Sequence, residues 1–437
     1  MFAIRRFKLY SWTIVLALVC SMDFALPMPI QAKEQPTSFG EEQGIRKTLA
    51  QQDKLDEKIL NPPAIYTDEA DFEFVDQREI ITTPTLAPYH SCVSLELVYS
   101  DSSSAFAYYG NAFIVSNHTL LTSAHCLYDH ENQGGYVKRI DITFADGTTI
   151  SSANSAMDIV ISKGFEANDH YEEDLGIIET EIDLSRYATP LKLASPAKPK
   201  QNVEMVGYTS DLFSSTSPVD GRALAKSTGR IEMMNPSLLI LSVYGVPGQS
   251  GSPILANNKA VGVFNFGLRD SSTMELIQTG GVPFLSQQLH WLTQNARSMN
   301  QPIYRAYNPN SGEHLYTRSY AELEHITQVG WKDEGMAWME SAGQNGEIVW
   351  RLYNPNTGDH HYTVDQHEYS ELSKYGWIQE GETWIAPQKT TPQVQAVYRL
   401  YNPHAISGAH HFTTDLQERN DLIQLGWKEE GIAFYAL

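Results

Sequence analysis

From Ala87 onward, short apolar runs alternate with polar turns. Runs rich in Val, Ile, Tyr and Phe cover 91–98, 105–115, 119–122 and 140–144, then 159–162, 175–179, 203–206, 238–243, 253–255 and 260–266. Gly, Asn, Asp or Ser separates them, which is the pattern of strands joined by turns. Many short strands with little helix between them predict an all-β fold of antiparallel barrels or sandwiches. One helix closes the region: Ser286 is a candidate cap for 287–296, with Leu289, Trp291 and Leu292 available for packing. Residues 33–84 read differently. They carry 12 acids and 6 bases, a predicted short helix around 45–60 and a Pro62-Pro63 break. Such charge-rich, weakly periodic sequence suits a pro-segment or linker, or a tail with no regulatory task.

Beyond Gln301 the chain repeats itself. Tyr304-Arg305-Ala306-Tyr307-Asn308-Pro309 recurs at Trp350–Pro355 and Tyr398–Pro403, after 46 and then 48 residues. Each copy is followed by a His (His314, His360, His410), an aromatic-Thr pair, a helical stretch ending in Gly-Trp (Trp331, Trp377, Trp427) and a Glu-Gly turn. Units this short cannot bury their apolar faces alone. The units 302–340, 348–386 and 396–437 are therefore expected to form a pseudo-threefold, β-rich domain with one short helix per repeat. The three recurrent tryptophans are expected in its core. The three recurrent histidines are expected to satisfy buried groups within their own units, a metal on the axis being the sharper alternative.

The chain has 437 residues, 52 acids against 31 bases and a formal charge of −21. That balance repels polyphosphate and argues against nucleic-acid binding and against charge-driven docking on anionic membranes. At the N-terminus, Arg5, Arg6 and Lys8 precede an apolar stretch from Trp12 to Cys20, and Ile30-Gln31-Ala32 offers small residues for cleavage. Residues 1–32 thus read as a signal peptide of a secreted protein, a lipid anchor on Cys20 being the alternative. Three cysteines are too few for a disulfide-dense scaffold or a thiolate metal cluster.

Three short segments carry candidate chemistry. His125 ends an apolar strand in Thr122-Ser123-Ala124-His125-Cys126, Asp174 precedes another in Asp174-Leu175-Gly176, and Ser250 lies among glycines in Gly248-Gln249-Ser250-Gly251-Ser252-Pro253. Singly, each suits a structural role. Together they match nucleophilic catalysis by serine, which needs an adjacent base. His125 would accept the Ser250 proton, Asp174 would fix the imidazole tautomer, and the N–H groups of Gly248 and Ser250 would face the oxyanion. The order His, Asp, Ser excludes an α/β-hydrolase elbow.

At these residues the chain resembles the trypsin/chymotrypsin-like peptidases, and within them the bacterial branch of V8-type glutamyl endopeptidases. The resemblance spans 85–299 and includes Ala87-Pro88-Tyr89 near the expected mature start. It implies two antiparallel β-barrels with the triad between them, hydrolysis of peptide bonds without a cofactor or metal, and a secreted precursor (a zymogen) whose segment 33–84 is removed. By the same resemblance Cys126 is one half of a disulfide with Cys92, free buried thiols being the alternative. Two departures stand out. Gln249 replaces the Asp that animal enzymes pair with a new N-terminus. The specificity pocket, read as Gly245, Phe264, Asn265 and Gly267, lacks the His that binds a substrate glutamate, so an apolar or permissive pocket is expected. The repeats resemble Tyr-Arg-Leu-Tyr-Asn-Pro units at the ends of bacterial surface and secreted hydrolases, a family of uncertain function. They imply a cell-wall, glycan or protein ligand. The reading is a secreted serine endopeptidase with protein or peptide substrates and an attachment domain; its rival is a non-catalytic surface-binding protein whose repeats carry the function.

Overall fold

The computed structural model describes residues 44–49, 74–99, 107–129 and 135–437, except 169, 197, 271, 341–345 and 406. The expected signal peptide, 1–32, and most of the 33–84 segment lie outside the described residues. The chain is mostly β. Eight antiparallel strands form a first, half-barrel sheet in the order Ile45–Leu49, Met157–Ile161, Gly176–Thr180, Thr119–Thr122, Ala107–Ile114, Cys92–Val98, Arg139–Thr143, Thr149–Ser151. A second sheet closes into a six-stranded barrel, because Asn202–Phe213 pairs with both Pro253–Ala256 and Arg222–Met234. Two of its strands, Arg222–Met234 and Leu276–Pro283, escape the sequence reading. The polar stretch Lys226–Arg230 hides the first, which is held in place by partners on both sides.

Side-chain alternation sorts the first sheet's residues between two cores. Val93, Leu95 and Leu97 face inward with Ile142, Ile159 and Ile178, whereas Cys92 faces the second barrel beside Phe113, Tyr208 and Val263. This alternation overturns the Cys92–Cys126 disulfide. Cys126 belongs to the inward cluster, and both thiols are free and buried. The group opposite Cys126 is Gly110, where a Cβ would stand 2.9 Å from its Sγ.

The segment before residue 85 differs from expectation too. Ile45–Leu49 is a strand, not a helix, and extends the half-barrel by pairing with Met157–Ile161. Arg46 reaches Asp158, Glu179 and the carbonyl of Asn295, so this edge is held by charge as well as by the ladder. Glu79–Ile80 adds a second edge strand, to the barrel. Five helices are described: α1 (Lys163–Asn168), α2 (Ser286–Asn295), α3 (Tyr320–Gln328), α4 (Gln366–Lys374) and α5 (Leu416–Gln424). Ser286 does not cap α2; its hydroxyl donates to Asp333 of the first repeat unit.

Each repeat unit is a three-stranded antiparallel sheet with its first strand in the centre and one helix, between the second and third strands, packed on it. The three sheets share one core. Tyr316, Tyr362 and Phe412 form a triangle with ring centroids 5.5–5.8 Å apart, and Trp338, Trp384 and Phe434 form another at 5.8–6.0 Å. The core positions are therefore not the Gly-Trp residues. Trp331, Trp377 and Trp427 are only half-buried, because each follows the helix end at the outside of its sheet.

The recurrent arginine joins the units. Arg351 binds Glu322 at 2.9 Å, Arg399 binds Glu368 at 3.1 Å, and Arg305 closes the ring on Glu418 at 3.1 Å. These glutamates stand three residues after the caps Ser319, Asp365 and Asp415. A local helix-start signal thus also supplies the inter-unit bridge. His314, His360 and His410 each face the turn glutamate of their own unit, at 3.4, 3.7 and 3.5 Å. Trp384→Ala is expected to destabilise this domain by about 3–5 kcal/mol, since Trp384 is 2% exposed and touches both other members of its triangle. Urea unfolding of the full chain checks this.

Candidate active site

Strand register brings His125 to Asp174. Thr119–Thr122 and Gly176–Thr180 are antiparallel neighbours with Thr122 opposite Gly176. The turn leaving the first strand and the turn entering the second therefore lie side by side. His125 sits in the 3-10 turn Ala124–Cys126, and Asp174 ends the 3-10 turn Tyr171–Glu173. Both carboxylate oxygens accept from His125: the backbone N–H donates to Oδ1 at 2.9 Å and ring Nδ1 to Oδ2 at 2.7 Å. The proton is thereby held on Nδ1, leaving Nε2 as the basic nitrogen. Asp174 is fully buried. Burial alone would lower the His125 pKa, but the Asp174 charge and the neighbouring Cys126 outweigh it and hold the imidazole well above its usual value.

The Ser250 loop is shaped by two glycines in the left-handed region, Gly248 at φ +86° and Gly251 at φ +83°. A Cβ on Gly251 would stand 2.0 Å from the Asn111 carbonyl, so only glycine allows this approach. Carbonyl partners set the peptide planes. Ser210 Oγ donates to Pro247 O at 2.8 Å, and Ser252 N–H donates to Gln249 O at 3.2 Å. In a trans peptide the N–H points opposite the C=O, so the donors of Gly248 and Ser250 are both directed away from these contacts. Gln249 is buried, and its Oε1 accepts from Val246 N at 3.1 Å. The loop is braced by its own side chain where an activation ion pair would otherwise act. Ser250 Oγ donates to Asn265 O at 3.3 Å, and no hydrogen bond joins it to His125 among the described residues. In free enzymes the bond between a nucleophile and its base is often long and tightens only when substrate binds.

Two buried asparagines hold these parts together. Asn111, fully buried, donates through Nδ2 to Gly248 O at 2.8 Å and to Tyr208 O at 3.1 Å, accepts from Tyr208 N at 2.7 Å, and donates its backbone N–H to Ser250 O at 2.8 Å. It links the half-barrel to the serine loop. The sequence reading passed over it; its one signal is a polar residue inside an apolar run, which needs partners once buried. Asn265 was expected in the specificity pocket. Its side chain instead binds Ser123 Oγ, the Asp174 carbonyl and Val282 N, so it positions the Asp174 loop. The other pocket residues do meet: a Cβ on Gly245 would stand 2.4 Å from Phe264 Cζ, and one on Gly267 would stand 3.6 Å from Gly245 O.

Residues 110–263 match the family described as a trypsin-like peptidase domain, and residues 302–437 match a domain of unknown function (DUF5648). The first match brackets His125, Asp174 and Ser250, and the second spans the three repeat units. Among solved structures, the chain is similar to a Glu endopeptidase in complex with MPD, at 18% identity and TM-score 0.41, covering 51% of this chain and 97% of that one. It is also similar to the thermostable serine protease AL20 from an extremophilic microorganism, at 16% and 0.38, covering 48% and 98%. A third likeness is to the protease Anisep from Arthrobacter nicotinovorans, at 14% and 0.35, covering 46% and 92%. Residues 110–263 thus match a trypsin-like peptidase domain, and a β-rich region of three sheets follows.

Proposed function

We propose that this chain is a secreted serine endopeptidase that cleaves protein or peptide substrates through Ser250, His125 and Asp174. The observation that carries the reading is the double hydrogen bond from His125 to buried Asp174, beside a serine loop pinned by Asn111. In the reaction, His125 Nε2 takes the hydroxyl proton as Ser250 Oγ attacks the scissile carbonyl carbon. The N–H groups of Gly248 and Ser250 receive the oxyanion, and the imidazolium gives its proton to the departing amine nitrogen. Water activated by the same imidazole then hydrolyses the acyl ester and restores Ser250. No step calls for a cofactor or metal.

The segment 1–32 serves as the signal, 33–84 as a pro-segment, and the repeats as an attachment domain for a cell wall, glycan or protein. Three strands of the half-barrel separate Ile45–Leu49 from the strand that touches Ser250. That position favours a folding aid over a plug.

The pocket is read as apolar. Phe264 packs on Gly245, and both nearby guanidiniums are engaged. Arg78 binds Asp76 and Asp211, and Arg269 donates to the carbonyls of Met274 and Gly245. Arg78 is thereby neutralised, Arg269 spends donors on backbone carbonyls while keeping its charge, and the pocket residues Gly245, Phe264 and Gly267 themselves carry no cation. Incubating the secreted protein with an unfolded substrate and mapping the cuts by mass spectrometry tests both parts. Cuts following apolar residues are expected; clustering after glutamate would overturn the pocket reading, and no cuts at all would overturn the peptidase.

A further inference from the structure

The first repeat unit docks on the peptidase domain with Leu323 buried at the contact and four half-buried apolar residues, Tyr320, Ile326, Trp331 and Met336, around it. They pack against the core that contains Leu289, Trp291 and Leu292 of α2. His290 stacks on Tyr320 at 4.5 Å, Ser286 donates to Asp333, and Met336 N–H donates to Ser195 Oγ at 3.0 Å. The other units carry the same four positions, and the register identifies them. Met336, Glu382 and Ile432 stand opposite Tyr304, Trp350 and Tyr398, and the N–H of each Gly-Trp residue donates to Ile326, Leu372 or Leu422.

The second unit reads Gln366, Leu372, Trp377 and Glu382, so half of the set is polar. The third reads Leu416, Leu422, Trp427 and Ile432, apolar at all four positions, and carries Arg419, whose guanidinium lies 4.9 Å over the Tyr398 ring, where the first unit has buried Leu323. Among the described residues nothing covers the two ends of the third unit's set: Leu416 is 56% exposed and Ile432 49%.

We infer that this face of the third unit is a docking surface for an amphipathic helix of another protein, seated as α2 is seated on the first unit. Aliphatic leucine and isoleucine suit a packed helix face better than a sugar ring, which aromatic planes grip. The rim carries Asp415, Asp421 and Glu429, the last held by Arg419. A partner helix with cationic flanks complements this rim. A second copy of this chain would present the same acids and a charge of −21, and like charges across an interface oppose binding. This deepens the attachment role proposed above and is independent of peptide hydrolysis.

The test uses a fluorescent peptide of residues 284–299, which spans α2, titrated with the full chain carrying Ser250→Ala so that the probe is not cut. Saturable binding at one site is expected, weakened at least tenfold by Leu416→Glu with Ile432→Glu. Both positions are half exposed, and an unchanged thermal unfolding curve verifies the fold. Converting the second unit with Gln366→Leu and Glu382→Ile is expected to raise the stoichiometry from one peptide to two. Absent binding, or binding indifferent to both pairs of substitutions, overturns the inference. A concentration-dependent dimer in sedimentation that Leu416→Glu dissolves would overturn it in favour of a second copy. Peptidase activity of the otherwise native chain, measured in parallel, separates failure here from failure of the peptidase reading.

Discussion

Ser250→Ala is expected to lower kcat by about 10⁶-fold while leaving the fold and the stability of the chain intact. The magnitude is that seen when the nucleophile of a serine triad is removed and only the oxyanion donors and binding remain. Stability should barely change, because Ser250 Oγ makes one long hydrogen bond, 3.3 Å to Asn265 O. Losing such a contact costs about 1 kcal/mol or less. The loop conformation belongs to Gly248, Gly251, Gln249 and Asn111, none of which is altered. Hydrolysis of an unfolded substrate by wild type and variant, with thermal unfolding of both, gives the answer. Residual activity above about 1% of wild type would remove Ser250 from the role of nucleophile.

Asp174→Asn should cost about 10⁴-fold in kcat, through the tautomer rather than the position of His125. Asp174 accepts two hydrogen bonds from His125, one from the backbone and one from Nδ1. An amide offers one acceptor and one donor, so it cannot satisfy both. When its NH₂ faces Nδ1, the ring proton moves to Nε2 and the base is lost.

The pH profile separates this from simple misfolding. Burial lowers the His125 pKa, and the Asp174 charge more than compensates, so the net direction is upward. A general base works only when neutral. Activity of the wild type is therefore expected to fall as pH drops through a value above about 6.5, the ordinary histidine pKa. In Asp174→Asn, burial is opposed only by the neighbouring Cys126, and the residual activity should persist to lower pH. An acid limb that stays in place would show that the carboxylate does not set the His125 charge state.

Short-range patterns made much of this legible. The strands 119–122, 175–179 and 253–255 were visible because alternation and bounding turn residues are local. Gly248 and Gly251 were visible because a tight loop with positive φ has few alternatives. What stayed hidden depended on a partner far along the chain. Asn111 holds a loop 137 residues away. Asn265, placed on the pocket wall by its position, turns its side chain towards the Asp174 loop. The segment at 45–49, charged and weakly periodic, became a strand because the edge strand Met157–Ile161 offered it a ladder and carboxylates for Arg46.

By itself the sequence determined the all-β character, the residues able to form a triad, and the presence of three similar units after residue 301. Each follows from period, turn chemistry or self-similarity, which are properties of neighbouring residues. Tertiary structure alone decided which tryptophans are core, that Cys92 and Cys126 stand on separate cores as free thiols, and that the first repeat's apolar face is covered by α2 while Leu416 and Ile432 of the third stay exposed among the described residues. Those outcomes turn on which face of a strand or helix meets another element. That is settled by packing between segments a hundred or more residues apart, and no local pattern records it.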